Sequence, residues 1–220
     1  MGRKLQVAVV LFDGVAVLDA IAPYECLQLL PNVEVVFVAH KIGSFKDTFG
    51  YLSVNSTHTF QDITHPDILV VPGGLGIKNL LKDEAVLEWI EQVDNNTLYT
   101  TAVGSGSLLL AETGLLTGIS ATTHWSVKEA LEKHGVKLSD DRVVQEGKII
   151  TAAGPTSAIE MGLKLAALVT SEEFAKSVQL ILEYDPQVMY GTGSTTKAGP
   201  EVTAKATTLL YANELRASNH

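Results

Sequence analysis

The sequence predicts an α/β protein with a mostly parallel β-sheet that is covered by helices on both faces. Apolar runs rich in valine, such as residues 5–12, have the composition of strands buried on both faces. These runs alternate with segments whose apolar residues recur at helical spacing, such as residues 20–30. Turn residues, including Asp13-Gly14 and Pro31, separate the two kinds of segment. Strands that alternate with helices in this way form parallel sheets between helical layers.

Buried strands form the predicted centre of the sheet, with shorter β segments around them. The core strands are the apolar runs at residues 5–12, 33–39, 67–71 and 97–103. Residues 49–60 are polar and β-prone, which indicates a short antiparallel excursion. A short strand is predicted at residues 119–123, and a hairpin over residues 142–153 turns at Glu146-Gly147.

The helices are predicted from apolar spacing and from end signals. Gly114 and Gly135 suit left-handed C-terminal caps, and Ser171 suits an N-terminal cap. Because no repeat or linker divides the chain, we expect one domain over residues 1–220, with an irregular and helical tail from about residue 185. The predicted helices cover residues 20–30, 84–93, 105–113, 125–134, 156–170, a segment after Ser171, and 201–216.

Composition and charge exclude several classes of function. Hydrophobic residues make up 46% of the 220 residues and the net charge is −9. This charge argues against nucleic-acid binding, because phosphate neutralisation needs a surplus of Lys and Arg. No apolar stretch has the length of a membrane span or of a signal-peptide core. The single cysteine, Cys26, cannot form an internal disulfide, so we expect a cytoplasmic protein.

Three loops are expected to meet where the parallel strands end, which is where such sheets bind ligands. They are residues 13–19, Pro72-Gly73-Gly74, and Val103-Gly104-Ser105-Gly106-Ser107. The last is a sharp strand-to-helix elbow, a turn that usually presents a nucleophile at its apex. The apex here is Gly104, which has no side chain. Ser105 follows the apex, where we expect its hydroxyl to cap the helix and line the pocket; a direct catalytic role is the alternative.

Asp19 is the candidate general acid and base. It is an acidic residue in an otherwise apolar stretch that leads into a helix. Local pattern alone favours a helix cap, and the functional alternative is a partly buried carboxyl with a raised pKa. Glu25 is the second candidate acid, although a helical glutamate is more often solvated.

The remaining candidate residues would bind substrate. Gly73 and Gly74 could present backbone N–H groups to an anion, and they match no phosphate-loop pattern. His124 and Trp125 follow a predicted strand; the histidine is more often a structural hydrogen-bonding group, and the tryptophan is a pocket wall or a core residue. Histidine spacing predicts no metal site, and Cys26 is expected to be buried and inert.

These segments together resemble the ThiJ/PfpI superfamily, and most closely its isonitrile hydratase branch. The resemblance spans roughly residues 5–186 in the order of the family. It is found in Leu11-Phe12 through Leu18-Asp19, Val71 to Gly74, Val103 to Leu108, Ala121 to Trp125, Arg142 to Val144, Gly154 with Ile159-Glu160, and Val178 to Leu180 with Leu182 to Tyr184.

The resemblance implies a flavodoxin-like three-layer sandwich of the class I glutamine amidotransferase type, and a homodimer. It implies a hydro-lyase that hydrates an isonitrile, R–N≡C, to an N-formamide without a cofactor, through attack of a cysteine thiolate on the isonitrile carbon. Asp19 matches the acid/base, Ser105 the hydroxyl residue beside the nucleophile, and Gly73 and Gly74 the backbone anion site. Gly104 falls on the nucleophile itself.

Gly104 leaves open both the origin of the glycine and the function of the chain. The chain either lacks the cysteine naturally or carries an engineered Cys→Gly change, and in both cases the thiol route has no nucleophile. A non-catalytic, small-molecule-binding or regulatory protein of the same superfamily is the alternative function. Glyoxal hydration, amidase and peptidase activities also depend on the elbow cysteine, and Leu18-Asp19 favours the hydratase branch over those with a glutamate there.

Overall fold

The computed structural model describes residues 3–217 and contains eleven strands and eight α-helices within them. The strands, in chain order, are β1 Leu5–Val10, β2 Val33–Ala39, β3 Gly43–Lys46, β4 Ser53–Ser56, β5 His58–Thr59, β6 Ile68–Val71, β7 Tyr99–Val103, β8 Ser120–Ala121, β9 Lys137–Leu138, β10 Val143–Glu146 and β11 Ile149–Ala152. The helices are α1 Val17–Leu27, α2 Ile77–Leu80, α3 Glu84–Asp94, α4 Ser107–Glu112, α5 Lys128–Glu132, α6 Pro155–Val169, α7 Glu172–Ile181 and α8 Thr195–Ala217.

Seven of the strands form one sheet in the order β10-β11-β7-β6-β1-β2-β5. All neighbours in it run parallel except β10 and β11, which form the predicted hairpin. The chain turns outward in opposite directions from β1 and β6, since β1 leads to β2 and β6 leads to β7. Such a switch point opens a crevice at the carboxyl ends of the two strands.

Helices cover both faces of the sheet. Alternate residues of β1 face opposite layers, because side chains alternate along a strand: Val7 and Val9 pack toward α1, α6 and α7, whereas Ala8 and Val10 pack toward α2 to α5. Both sets are fully buried. The chain is therefore a three-layer α/β sandwich with a mostly parallel sheet, as the sequence predicts.

Element boundaries differ from the predictions at a few places. The first helix begins at Val17 rather than at residue 20, and it continues through Pro23. A strand that the sequence pattern missed, β3, precedes the polar excursion and pairs antiparallel with β4, which lies within it. The predicted strand at residues 119–123 is only the two residues of β8, which pair with β9 outside the main sheet. The last helix begins within the segment expected to be irregular.

Candidate active site

The three predicted loops meet above the carboxyl ends of β1, β6 and β7, which are neighbours in the sheet. Backbone hydrogen bonds join the loops: Ala16 N donates to Gly73 O at 2.8 Å, and Gly76 N donates to Gly14 O at 3.1 Å. Gly74 has φ of +136°, and a Cβ atom there would lie 2.3 Å from Gly14 O. Only glycine fits such a close backbone approach, so these loops hold one another in place.

Gly104 forms the apex of the elbow between β7 and α4. Its φ of +53° lies in the left-handed region, and a short 3₁₀ turn follows it. Its carbonyl oxygen accepts a hydrogen bond from Thr123 Oγ1 at 2.8 Å, and Ser107 Oγ donates to the same oxygen at 2.9 Å. A Cβ atom at Gly104 would lie 3.2 Å from Asp19 Oδ2 and 3.8 Å from His124 Cβ. A side chain at this position would therefore start between the acid and the histidine.

Asp19 is a buried carboxyl beside this apex. The cap prediction is wrong, because α1 begins after Ala16 and Asp19 is already the third helical residue. The residue is 3% exposed, its side chain makes no cap hydrogen bond, and Oδ2 accepts from Gly73 N at 3.0 Å. Oδ1 is buried and has no hydrogen-bond partner among the described residues. Burial raises the pKa of Asp19 to about 7, against the opposing effect of the Gly73 N–H, so the carboxyl is partly protonated near neutrality.

The two glycine N–H groups that we expected to face an anion are already used inside the protein. Gly73 N donates to Asp19 Oδ2, and Gly74 N donates to Ser105 Oγ at 3.0 Å. Ser105 Oγ in turn donates to Gly74 O at 3.3 Å. This loop thus fixes the acid and the hydroxyl. It presents neither N–H as a free donor to a ligand, which corrects the predicted anion site.

His124 and Trp125 lie on the opposite side of the apex. His124 Nδ1 is 2.7 Å from Ser126 Oγ and also accepts from Ser126 N, so the histidine caps the short turn that follows. Burial lowers its pKa, which favours a neutral ring. The Trp125 ring packs against the histidine ring, with centroids 5.4 Å apart.

A cavity of about 700 Å³ joins these residues, a size typical of small-molecule sites. Six of the seven sequence-predicted site residues line it; Gly73 does not, because it lies behind Asp19. Its outer part, formed by the β3–β4 region, α2 and α8, was not predicted from the sequence. The additional apolar side chains of its wall are Val15, Ala16, Val17, Leu18, Phe49, Leu52, Leu75, Ile77, Leu81, Leu108, Val127, Pro155, Leu210 and Tyr211.

Cys26 lies away from this cavity, in the contact between α1 and α6. It is fully buried, and its Sγ is 3.7 Å from Ile159 O. Burial, with a smaller effect from Glu25, raises the pKa of the thiol to about 12. A protonated thiol in the core is a poor nucleophile, which agrees with the expectation of an inert cysteine.

Within residues 3–217, no three His, Cys, Asp or Glu side chains come together as a metal site would require. The same part of the chain contains no helix with the length and apolarity needed to cross a membrane.

Comparison with known proteins agrees with this fold. The profile of the DJ-1/PfpI family matches residues 5–168. The chain belongs to the DJ-1/PfpI family. Its relatives include the isonitrile hydratase of Pseudomonas putida, 37% identical over 202 residues that cover 92% of this chain and 88% of that protein.

Other proteins resemble the chain over different lengths. The HTH-type transcriptional regulator CdhR of Pseudomonas aeruginosa is 32% identical over 58% of this chain and 38% of its own length. The crystal structure of a ThiJ/PfpI family protein from Pseudomonas syringae superimposes with a TM-score of 0.90 at 30% identity, covering 99% of this chain and 90% of that one. The latter likeness extends past the family profile into the C-terminal helices.

Proposed function

We propose that this chain binds small isonitrile-like molecules, or the corresponding N-formamides, in the cavity beside Asp19, and does not hydrate them by a thiol route. The observation that carries the proposal is the buried Asp19 carboxyl, 3.2 Å from the point where a side chain at Gly104 would start. The similarity to an isonitrile hydratase over most of both chains supports this ligand class.

The chemistry of the cavity supports a neutral ligand with a small polar head. The wall is mostly aliphatic and aromatic, which favours a ligand with a largely apolar body, and its charged side chains other than Asp19 are of both signs: Asp47, Lys78 and Glu214. Asp19 lines the cavity and its Oδ2 faces the apex at Gly104, so the carboxyl can bond the ligand head. A protonated carboxyl can donate to the lone pair of an isonitrile carbon, and a carboxylate can accept from a formamide N–H.

The hydroxyl nearest the apex supports binding rather than covalent catalysis. Ser105 Oγ is engaged on both sides by the Gly74 backbone, so its proton points at a carbonyl oxygen and not at a base. His124 Nδ1 bonds to Ser126 instead. An alcohol without a general base is a weak nucleophile, and Gly104 has no side chain that could act as a nucleophile.

A Gly104→Cys variant tests this assignment directly. In that variant the thiolate would add to the isonitrile carbon while Asp19 delivers a proton to the same carbon, which gives a thioimidate. Water would then add and the thiol would leave, which yields the N-formamide. We expect the parent chain to hydrate benzyl isonitrile at least about 10³-fold more slowly than Gly104→Cys, because losing a nucleophile typically costs this much or more.

Matched variants separate the chemistry from the backbone change. Gly104→Ala adds the same Cβ atom without the thiol and should stay inactive, and Gly104→Cys combined with Asp19→Asn should lose most of the gained activity. Calorimetric binding of N-benzylformamide to the parent, weakened by Asp19→Asn, is the expected companion result. Parent turnover equal to that of a folded Gly104→Cys variant, or no binding by the parent, would refute the proposal.

A regulatory role is the second candidate, and the match to a transcriptional regulator favours it, since that relative is named for control rather than catalysis. Ligand-dependent stabilisation without turnover fits both the binding proposal and this role. The codon at position 104 in the source genome decides between a natural glycine and an engineered Cys→Gly change.

We further propose that residues 1–220 act as one domain, without a cofactor, in a cytoplasmic homodimer. The match of the family profile to residues 5–168 and the likeness to a structure over 99% of the chain support the single domain.

A further inference from the structure

The helix α8 forms the outer wall of the ligand cavity. It contributes Thr207, Leu210, Tyr211, Asn213 and Glu214 to the lining of the cavity that also contains Gly104. The family profile ends at residue 168, well before this helix begins.

This wall buries little of its own surface against the rest of the protein. No described residue of α8 is fully buried. Its half-buried positions follow the helical repeat, so the helix presents one face to the body, but that face has only one large aliphatic side chain, Leu210. Beyond Pro200 the half-buried positions are Thr203, Ala206, Thr207, Leu210, Asn213, Glu214 and Ala217. Elements that bury so little apolar surface open at low free-energy cost.

The helix also has a hinge at one end and an ionic contact near the other. Gly199, with φ of +73° and ψ of 173°, interrupts the helical backbone just before Pro200. Near the C-terminal end, Lys78 Nζ donates to Glu214 Oε2 at 3.3 Å across to α2. Both side chains are partly exposed, so water and salt weaken this contact.

We propose that α8 is the gate of the cavity, that it swings about Gly199-Pro200, and that Leu210 limits the size of the ligand that passes. The proposal rests on the proposed function only for the chemical class of the ligand. A ligand with an apolar body would bury Leu210 on binding, so occupancy of the cavity and docking of α8 would stabilise each other.

The gate can be tested without any isonitrile, with a cysteine at position 104 as a reporter. In a Gly104→Cys background, the rates of alkylation by iodoacetamide and by the bulkier N-phenylmaleimide measure access to the cavity. The buried Cys26 contributes only a background, which the parent chain measures. We expect Leu210→Ala to raise the N-phenylmaleimide rate by about threefold or more, and the iodoacetamide rate less.

Leu209→Ala is the matched control, because Leu209 is 58% exposed on the same helix and does not line the cavity. It should leave both rates unchanged. Lys78→Glu places a second negative charge beside Glu214, so it should also raise the alkylation rates. Adding Glu214→Lys restores a pair of opposite charges and should return the rates to their starting values. Equal effects of the Leu210 and Leu209 changes, or no rescue by the charge exchange, would overturn the proposal.

A second readout uses the chain with Gly104 in place, in case the cysteine variant does not fold. Trp125 lines the cavity, whereas Trp89 is buried with its indole N–H bonded to Ile63 O. Acrylamide quenching of tryptophan fluorescence should therefore increase in Leu210→Ala and not in Leu209→Ala; unchanged quenching in both would contradict the gate. A working gate in a protein that binds no formamide would refute the proposed function alone.

Discussion

The inner and outer sides of the ligand cavity are built in different ways. The inner side, at the carboxyl ends of β1, β6 and β7, is fixed by backbone hydrogen bonds and by glycines in close approach: a Cβ atom at Gly106 would lie 2.2 Å from Val71 O. The outer side is α8, which has no fully buried residue within the described chain. The comparison teaches that one cavity can combine a rigid chemical centre with a loosely held cover.

Gly74→Ala should have the largest effect on stability, because it attacks the rigid side. The new Cβ atom would meet Gly14 O at 2.3 Å with φ at +136°, so we expect a loss of about 3–5 kcal/mol in the free energy of unfolding, measured by urea titration.

Gly118→Ala is the matched control, since Gly118 has φ of +79° and no atom within 4 Å of an added Cβ. It should cost only the backbone strain of about 1–2 kcal/mol. Similar losses in the two variants would mean that close approach does not hold the loops.

Asp19→Asn should change how the free energy of unfolding depends on pH. We expect this effect to be smaller than that of Gly74→Ala and larger than that of Leu215→Ala. The pKa of Asp19 is raised from 3.8 to about 7 in the folded protein, so the folded state holds this proton more tightly than the unfolded state does. The parent therefore loses stability as pH rises through this window, and it keeps the full benefit only below pH 3.8. Asparagine does not titrate, so between about pH 4.5 and 8 we expect the variant to gain about 2–3 kcal/mol relative to the parent.

Urea unfolding at the two ends of this range measures the gain. Asp185→Asn changes an exposed carboxylate in the same way and should run parallel to the parent curve. If Asp19→Asn also runs parallel, burial does not control the protonation of this carboxyl.

Leu215→Ala should have the smallest effect, because it acts on the loose side. Leu215 is 69% exposed in α8, so we expect a change within about 0.5 kcal/mol. Leu110→Ala, at a fully buried position of α4 behind the elbow, is the comparison and should cost about 2–4 kcal/mol. A large loss at Leu215 in thermal or urea unfolding would show that α8 is part of the folded core.

Local patterns were sufficient for most of the fold. The run at residues 33–39 coincides with β2, and Ser171 accepts a hydrogen bond from Phe174 N as a helix cap should. Patterns failed where segments are short or polar, as at β3 and β8, because a strand of two to four residues carries too little periodicity. They also misplaced the start of α1, since Ala16 offers no capping side chain.

The candidate site could be predicted only in part. Turn chemistry and apolar runs located the three loops and the apex at Gly104, since glycine-rich turns after buried strands are visible in a sequence. The use of the Gly73 and Gly74 N–H groups by Asp19 and Ser105 was not visible. Their hydrogen bonds join residues far apart in the chain and depend on how the loops pack.

The sequence by itself determined the layered α/β fold, the meeting of the loops above the sheet, and the lack of a side chain at the apex of the elbow. Each depends on residue types and on their local spacing. Tertiary structure alone decided that Asp19 is buried with its pKa near 7, and that α8 covers the cavity. Burial and closure are properties of the packed chain, because they arise from which distant segments exclude water from the same place.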